Sequence, residues 1–143
     1  RRTGRGGNWK GFVWHQGSQE SWTDEDTSAT YFGNMTDLVR GARKEMFAAS
    51  DVGHWACEEE IPVVIVQVGH WPQDGSARRV RSAQRRYCDG DPRAVLVSTD
   101  DLARFYHYDA TSFLIAGNRI AKAYHEAAQR TFDCPSSLHG EPV

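Results

Sequence analysis

Ile61-Pro62-Val63-Val64-Ile65-Val66-Gln67-Val68 is a nearly unbroken β-branched run. It lacks the apolar-polar alternation of a strand with one wet face, so it reads as a strand covered on both sides, the kind found in parallel sheets between helices. Working outward, Arg93-Ala94-Val95-Leu96-Val97-Ser98 gives a further strand, and Lys10 to His15 a short buried strand ahead of both. Helical spacings separate them. Tyr31, Met35, Leu38, Val39, Ala42 and Met46 recur on one helix face, and Thr23 to Thr27 supply capping residues and acidic first-turn charge for its start. Ala77 to Tyr87 predicts a second helix. Ala110 to about Gln129 predicts a third, with Phe113, Leu114, Gly117, Ile120, Ala121 and Tyr124 on one stripe and Asp109 as N-cap. Strand and helix alternating three times predict right-handed crossovers and an α/β fold, three layers α/β/α around a mainly parallel sheet.

The chain has 143 residues, 39% of them hydrophobic, which suits one domain or most of one rather than two. Residues 1–131 read as one part of a domain and 132–143, with Pro135, Ser136, Ser137, Gly140 and Pro142, as an irregular tail on the surface. A formal net charge of -2 with both signs interspersed gives no case for nucleic acid or an anionic membrane as partner. Arg78, Arg79, Arg81, Arg85 and Arg86 are expected on the wet side of the second helix, opposite Val80, Ala83 and Tyr87. No run of about 18 uncharged apolar residues occurs, so no span of a membrane is expected. The opening residues carry no apolar core of a signal peptide, which leaves the compartment open, secretion through a leader on preceding sequence included. Cys57, Cys88 and Cys134 allow at most one intrachain disulfide. Asn34-Met35-Thr36 is a glycosylation sequon that matters only in a secretory compartment.

Chemistry-bearing residues gather where strands end. Phe12-Val13-Trp14-His15-Gln16-Gly17-Ser18-Gln19-Glu20 passes from an apolar run into a polar turn that presents His15, Gln16 and Ser18. A glutamine amide there can donate an N–H to a developing oxyanion without titrating, and Gly17 permits close approach. His107 lies just ahead of the third helix, where loop-borne groups of α/β enzymes sit. Val52-Gly53-His54-Trp55 recurs as Val68-Gly69-His70-Trp71, without any longer period. The second copy follows a strand and would set the Trp71 indole above the sheet edge, where a substrate ring could stack. His15 has no chelating neighbours and the cysteines no metal-ligand spacing, so no metal is expected. Ser18 and Ser21 lie outside any Gly-x-Ser elbow, and Gly4-Arg5-Gly6-Gly7 lacks the Lys-Ser/Thr and the preceding strand of a phosphate cradle.

Trp14-His15-Gln16-Gly17 resembles the Trp-Tyr/His-Gln-Gly-Glu block of the sialate O-acetylesterase and acetylxylan esterase relatives among the SGNH hydrolases. The likeness continues in order over most of residues 10 to 125. Ile61 to Val68 resembles that family's second strand, Val80-Arg81-Ser82-Ala83-Gln84 its Arg-x-Ala-Gln helix, Ser98-Thr99-Asp100-Asp101-Leu102 its Asp-Leu strand end, and His107-Tyr108-Asp109 with Gly117-x-Arg119 its last block.

The resemblance implies a flavodoxin-like SGNH architecture with its first strand or strands ahead of residue 1. It also implies a serine O-acetylesterase of carbohydrates whose nucleophile lies upstream of residue 1. His107 would be the general base, Asp101 the acid that orients it, Gln16 and Gly17 the oxyanion donors, and His15 and Trp71 substrate contacts. Neither metal nor organic cofactor would be needed. The partners implied are an acetylated carbohydrate and the preceding part of the domain or a companion chain. Two acidic positions of the family pattern differ: Ser18 stands for the Glu after Gln-Gly, and Arg104 stands three residues before the histidine. Those replacements suit an alternative, a catalytically inactive SGNH-like module that binds a glycan or assembles with other chains.

Overall fold

A computed structural model describes residues 8–22, 25–69, 75–102 and 108–134. Strand β1 (Phe12–Trp14), helix α1 (Glu25–Ala49), strand β2 (Val63–Val66), helix α2 (Gly75–Gly90), strand β3 (Ala94–Val97) and helix α3 (Ala110–Gln129) follow in order. The sheet is parallel in the order β1-β2-β3. Val63 pairs with Phe12 on one side and Ala94 on the other, and Ile65 with Trp14 and Leu96. This is the α/β architecture expected of part of a flavodoxin-like SGNH fold. Each strand is shorter than its apolar run because flanking residues such as Ile61 and Val68 are buried without extending the ladder.

The β-branched run is covered on both faces, and Val63 through Val66 are all fully buried. Successive side chains point to opposite faces. Val63 and Ile65 join Tyr31, Met35 and Val39 of α1 and Val80 and Ala83 of α2 in the larger core. Val64 joins Val97 and Ala123, with Ile120 and Tyr124 of α3 packed beside them. Two helices therefore cover one face and α3 the other, making three layers. Gly11 is needed where the faces meet the helix, because a Cβ there would lie 2.7 Å from the Tyr124 ring.

The amino ends of β2 and β3 are tied by charge. Buried Arg43 of α1 donates from Nε to the Ile61 carbonyl at 2.9 Å and pairs with Asp91 at 2.5 Å. Asp91 also accepts from the Tyr87 hydroxyl at 2.9 Å and the Arg93 backbone N–H at 2.9 Å. With all of these bonds made, a buried pair of this kind fixes position, whereas losing one partner would strand a charge. Burial and the nearby Asp91 and Asp89 push the Cys88 thiol up to about 12, so it stays protonated.

Cys57 and Cys134 form a disulfide across 77 residues of sequence. The three cysteines alone do not identify that pair. It anchors the backbone beyond α3 to the loop before β2, and closing so long a loop contributes about 4 kcal/mol through the unfolded state. Residues 131–134 have no regular structure, while residues 135–143 of the expected tail lie outside the described residues. Among the described residues no helix is long and apolar enough to cross a membrane.

The arginines of α2 are less uniform than expected. Arg78 and Arg85 are exposed, but Arg81 is half-buried and Arg86 lies 4.2 Å from the centroid of the Phe32 ring. The helix is packed against α1 and against the loop at the end of β2, which recruits both side chains.

Candidate active site at the carboxyl edge of the sheet

Parallel strands deliver their following loops to one edge, so the residues after β1, β2 and β3 meet there. After β1 the chain turns sharply. The Ser21 N–H and hydroxyl both bond the Gly17 carbonyl, at 3.0 and 2.7 Å, and Trp22 N–H bonds the Gln19 carbonyl at 3.0 Å. Gly17 has φ 125°, and a Cβ there would come within 2.9 Å of the Tyr31 hydroxyl and of Val80. Both conformation and space therefore demand glycine. The close approach that it allows is to Tyr31, Val68 and Val80 of the core.

The turn places Glu20 back against Gln16. Gln16 Nε2 donates to Glu20 Oε2 at 2.6 Å. A carboxylate accepts only, so it selects the amide orientation with nitrogen toward it. One N–H is used, and the other has no partner among the described residues. The acid that bonds Gln16 is thus Glu20, two residues beyond Ser18. Its signal was the i, i+4 spacing from Gln16 across a turn.

The Gln16 backbone is clamped as well. Its carbonyl accepts from the Tyr31 hydroxyl at 2.9 Å and from Gln84 Nε2 at 3.0 Å. Fully buried Gln84 also donates to the Tyr31 hydroxyl at 3.1 Å and accepts from the Val68 N–H at 3.0 Å. Trp14 Nε1 donates to the same hydroxyl at 3.3 Å. Burial raises the Tyr31 hydroxyl above its ordinary range, keeping it a donor. The Arg-x-Ala-Gln segment thus has a physical role. Gln84 joins β1, α1 and β2, and Arg81 donates to the Val68 carbonyl at 2.5 Å while pairing with Asp100 at 2.7 Å.

A cavity of about 390 Å³ adjoins the Gln16 amide, walled by Trp14, Glu20, Tyr31, Asn34, Met35 and Leu38. Alternation carries His15 to the opposite side of the sheet. There its ring stacks on Tyr108, 5.7 Å between centroids, and burial holds the imidazole below its ordinary value. His15 and Gln16 are therefore not presented together, although both border the end of β1.

After β3, Thr99 Oγ1 donates to the Gln67 carbonyl at 3.0 Å and accepts from the Tyr108 hydroxyl at 2.9 Å. Asp109 caps α3 as the sequence predicts, accepting from the Ser112 N–H at 2.7 Å. Arg119 grips Asp101 with two bonds of 2.6 Å and donates to the Ser98 carbonyl at 3.0 Å. That guanidinium pulls the Asp101 carboxyl down to about 2, so it is ionised across the neutral range. Each of its oxygens retains a second lone pair that an imidazole N–H could use. His107, Trp71 and His70 lie outside the described residues. Among the described residues no three His, Cys, Asp or Glu side chains are grouped as metal ligands would be.

The edge thus offers a fixed neutral N–H donor, an adjoining cavity and, on the segment after β3, a carboxylate ionised across the neutral range. A family model described as carbohydrate esterase, sialic acid-specific acetylesterase, matches residues 1–126. No curated protein and no solved structure matches the chain. The match runs from ahead of β1 into α3 and takes in Gln16, Gln84, Asp101 and Arg119, so the chain belongs to this family of SGNH-hydrolase-like carbohydrate esterases.

Proposed function

We propose that the protein is a serine O-acetylesterase of carbohydrates, its nucleophile supplied by sequence upstream of residue 1. The observation that carries this reading is the held amide of Gln16. Glu20 accepts from the side-chain Nε2, Tyr31 and Gln84 donate to the residue's backbone carbonyl, and Gln16 lines the adjoining cavity. Preorganised donors of this sort stabilise an oxyanion without reorganising during reaction.

In the proposed reaction the serine hydroxyl attacks the acetyl carbonyl, and His107 removes its proton as the new C–O bond forms. Negative charge on the carbonyl oxygen meets the Gln16 N–H, with the Gly17 backbone N–H as second donor. Collapse breaks the bond to the sugar oxygen, which leaves as an alcohol with the proton from His107. Water, deprotonated by His107, then attacks the acetyl-serine, and collapse releases acetate as the serine oxygen takes that proton back from His107. Asp101 orients the imidazole and stabilises its charged form. His15 and Trp71 border the sugar. No metal or organic cofactor enters this scheme.

A second reading is favoured by one feature. Both acids that shortly precede His107 in sequence are already paired, Asp101 with Arg119 and Asp100 with Arg81, as befits a glycan-binding or assembly module that no longer hydrolyses. Acetate release from an O-acetylated methyl glycoside separates the two. The esterase reading expects saturable release by the natural full-length protein. A folded protein that binds the glycoside and releases no acetate above buffer would establish the module instead.

A further inference from the structure

Beside the reacting edge, three rings stand in contact on the α3 side. His15 stacks on Tyr108, and Tyr108 meets Phe113 edge to face with 5.4 Å between centroids. We infer that Phe113, backed by Tyr108, is the platform on which the sugar ring of the substrate stacks, and so selects pyranose esters over acyclic ones. This deepens the proposed esterase reading and rests on it.

Three observations support the platform. Phe113 is 58% exposed in the first turn of α3, although an aromatic ring gains by burial. It is also held in place: the Tyr108 hydroxyl is tied to Thr99, whose own hydroxyl is tied to Gln67 at the end of β2. Two bonds thus anchor the middle ring to the sheet, and Asp109 anchors the helix start that carries Phe113. Finally, the cluster stands at the carboxyl edge between the segments that follow β1 and β3, since His15 follows β1 and the Tyr108 hydroxyl is bonded to Thr99 after β3. An uncharged imidazole at the far end suits a neutral ligand. A pyranose has one face of C–H groups for an aromatic ring and hydroxyls at its rim for water, which matches an exposed ring at a wet edge.

The test compares wild type, Phe113→Ala and Phe113→Tyr on an O-acetylated methyl glycoside and on ethyl acetate. The expected result is that Phe113→Ala lowers the ratio of kcat/KM for the glycoside to that for ethyl acetate about tenfold, mainly through KM, while Phe113→Tyr restores the ratio. A ratio that Phe113→Ala does not change overturns the platform. Should wild type hydrolyse neither ester, the serine esterase reading has failed. Saturation-transfer NMR with the deacetylated methyl glycoside then decides the platform separately. Transfer to the sugar in wild type that is lost in Phe113→Ala supports it. Equal transfer in both, or none in wild type, overturns it.

Discussion

Under the proposed esterase mechanism, replacing Gln16 by Leu is expected to lower kcat for acetate release about 10²- to 10³-fold and to move KM little. The magnitude is that of losing one preorganised oxyanion donor. The pattern follows because the donor bonds charge that develops only in the transition state, so the ground-state complex is scarcely weakened. Leucine keeps the approximate shape and deletes both N–H groups. The backbone stays anchored, since the Gln16 carbonyl still accepts from Tyr31 and Gln84. Steady-state kinetics checks this, and a loss under about tenfold would remove Gln16 from the oxyanion hole. Gln16→Glu should be no better, because a carboxylate there would face both Glu20 and the oxyanion.

Gln84→Leu acts on stability instead. The amide has no exposure, and its three bonds reach the Val68 N–H, the Gln16 carbonyl and the Tyr31 hydroxyl. The Gln16 carbonyl and the Tyr31 hydroxyl keep each other as partners, but the buried Val68 N–H is left without the oxygen it donates to. Stranding one buried donor in this way costs about 1–3 kcal/mol. For a chain of this size that corresponds to a fall of roughly 3–9 °C in Tm, measured by calorimetry or circular dichroism. A loss below about 1 kcal/mol would show that those bonds do not hold the edge together. Acetate release should fall too, through a loosened Gln16 rather than through lost contact with substrate.

The fold was legible because its signals are local. Val63 to Val66 has no polar face, so only a sheet covered on both sides accommodates it, and Asp109 announces a helix start through its own side chain. Third-helix bounds read from periodicity coincide with Ala110–Gln129. What escaped depends on contacts between distant segments. The Cys57–Cys134 pair joins residues 77 apart, and nothing in the spacing of three cysteines selects it. Arg81 was placed on a wet face because helical spacing sets it opposite Val80, Ala83 and Tyr87, whereas the end of β2 supplies a carbonyl that draws it inward.

The site was legible in part. The placement of Gln16 at a strand end could be read from sequence, but its two anchors could not, since Tyr31 and Gln84 lie 15 and 68 residues away. Glu20 was hidden by a register argument: the acid was sought beside Gly17, and a turn brings it from three residues further on. Asp101 was expected to serve His107, and its bidentate bond to Arg119 adds a partner that sequence order does not suggest.

Labelling with a fluorophosphonate, followed by intact mass and peptide mapping of the natural full-length protein, tests the central claim most directly. This reagent captures a serine whose oxygen is activated beside an oxyanion hole. The serine esterase account predicts a single phosphonyl adduct on one serine upstream of residue 1, formed in step with the loss of acetate release and much more slowly in Gln16→Leu. Full acetate release after saturating exposure, with no serine adduct, would contradict it.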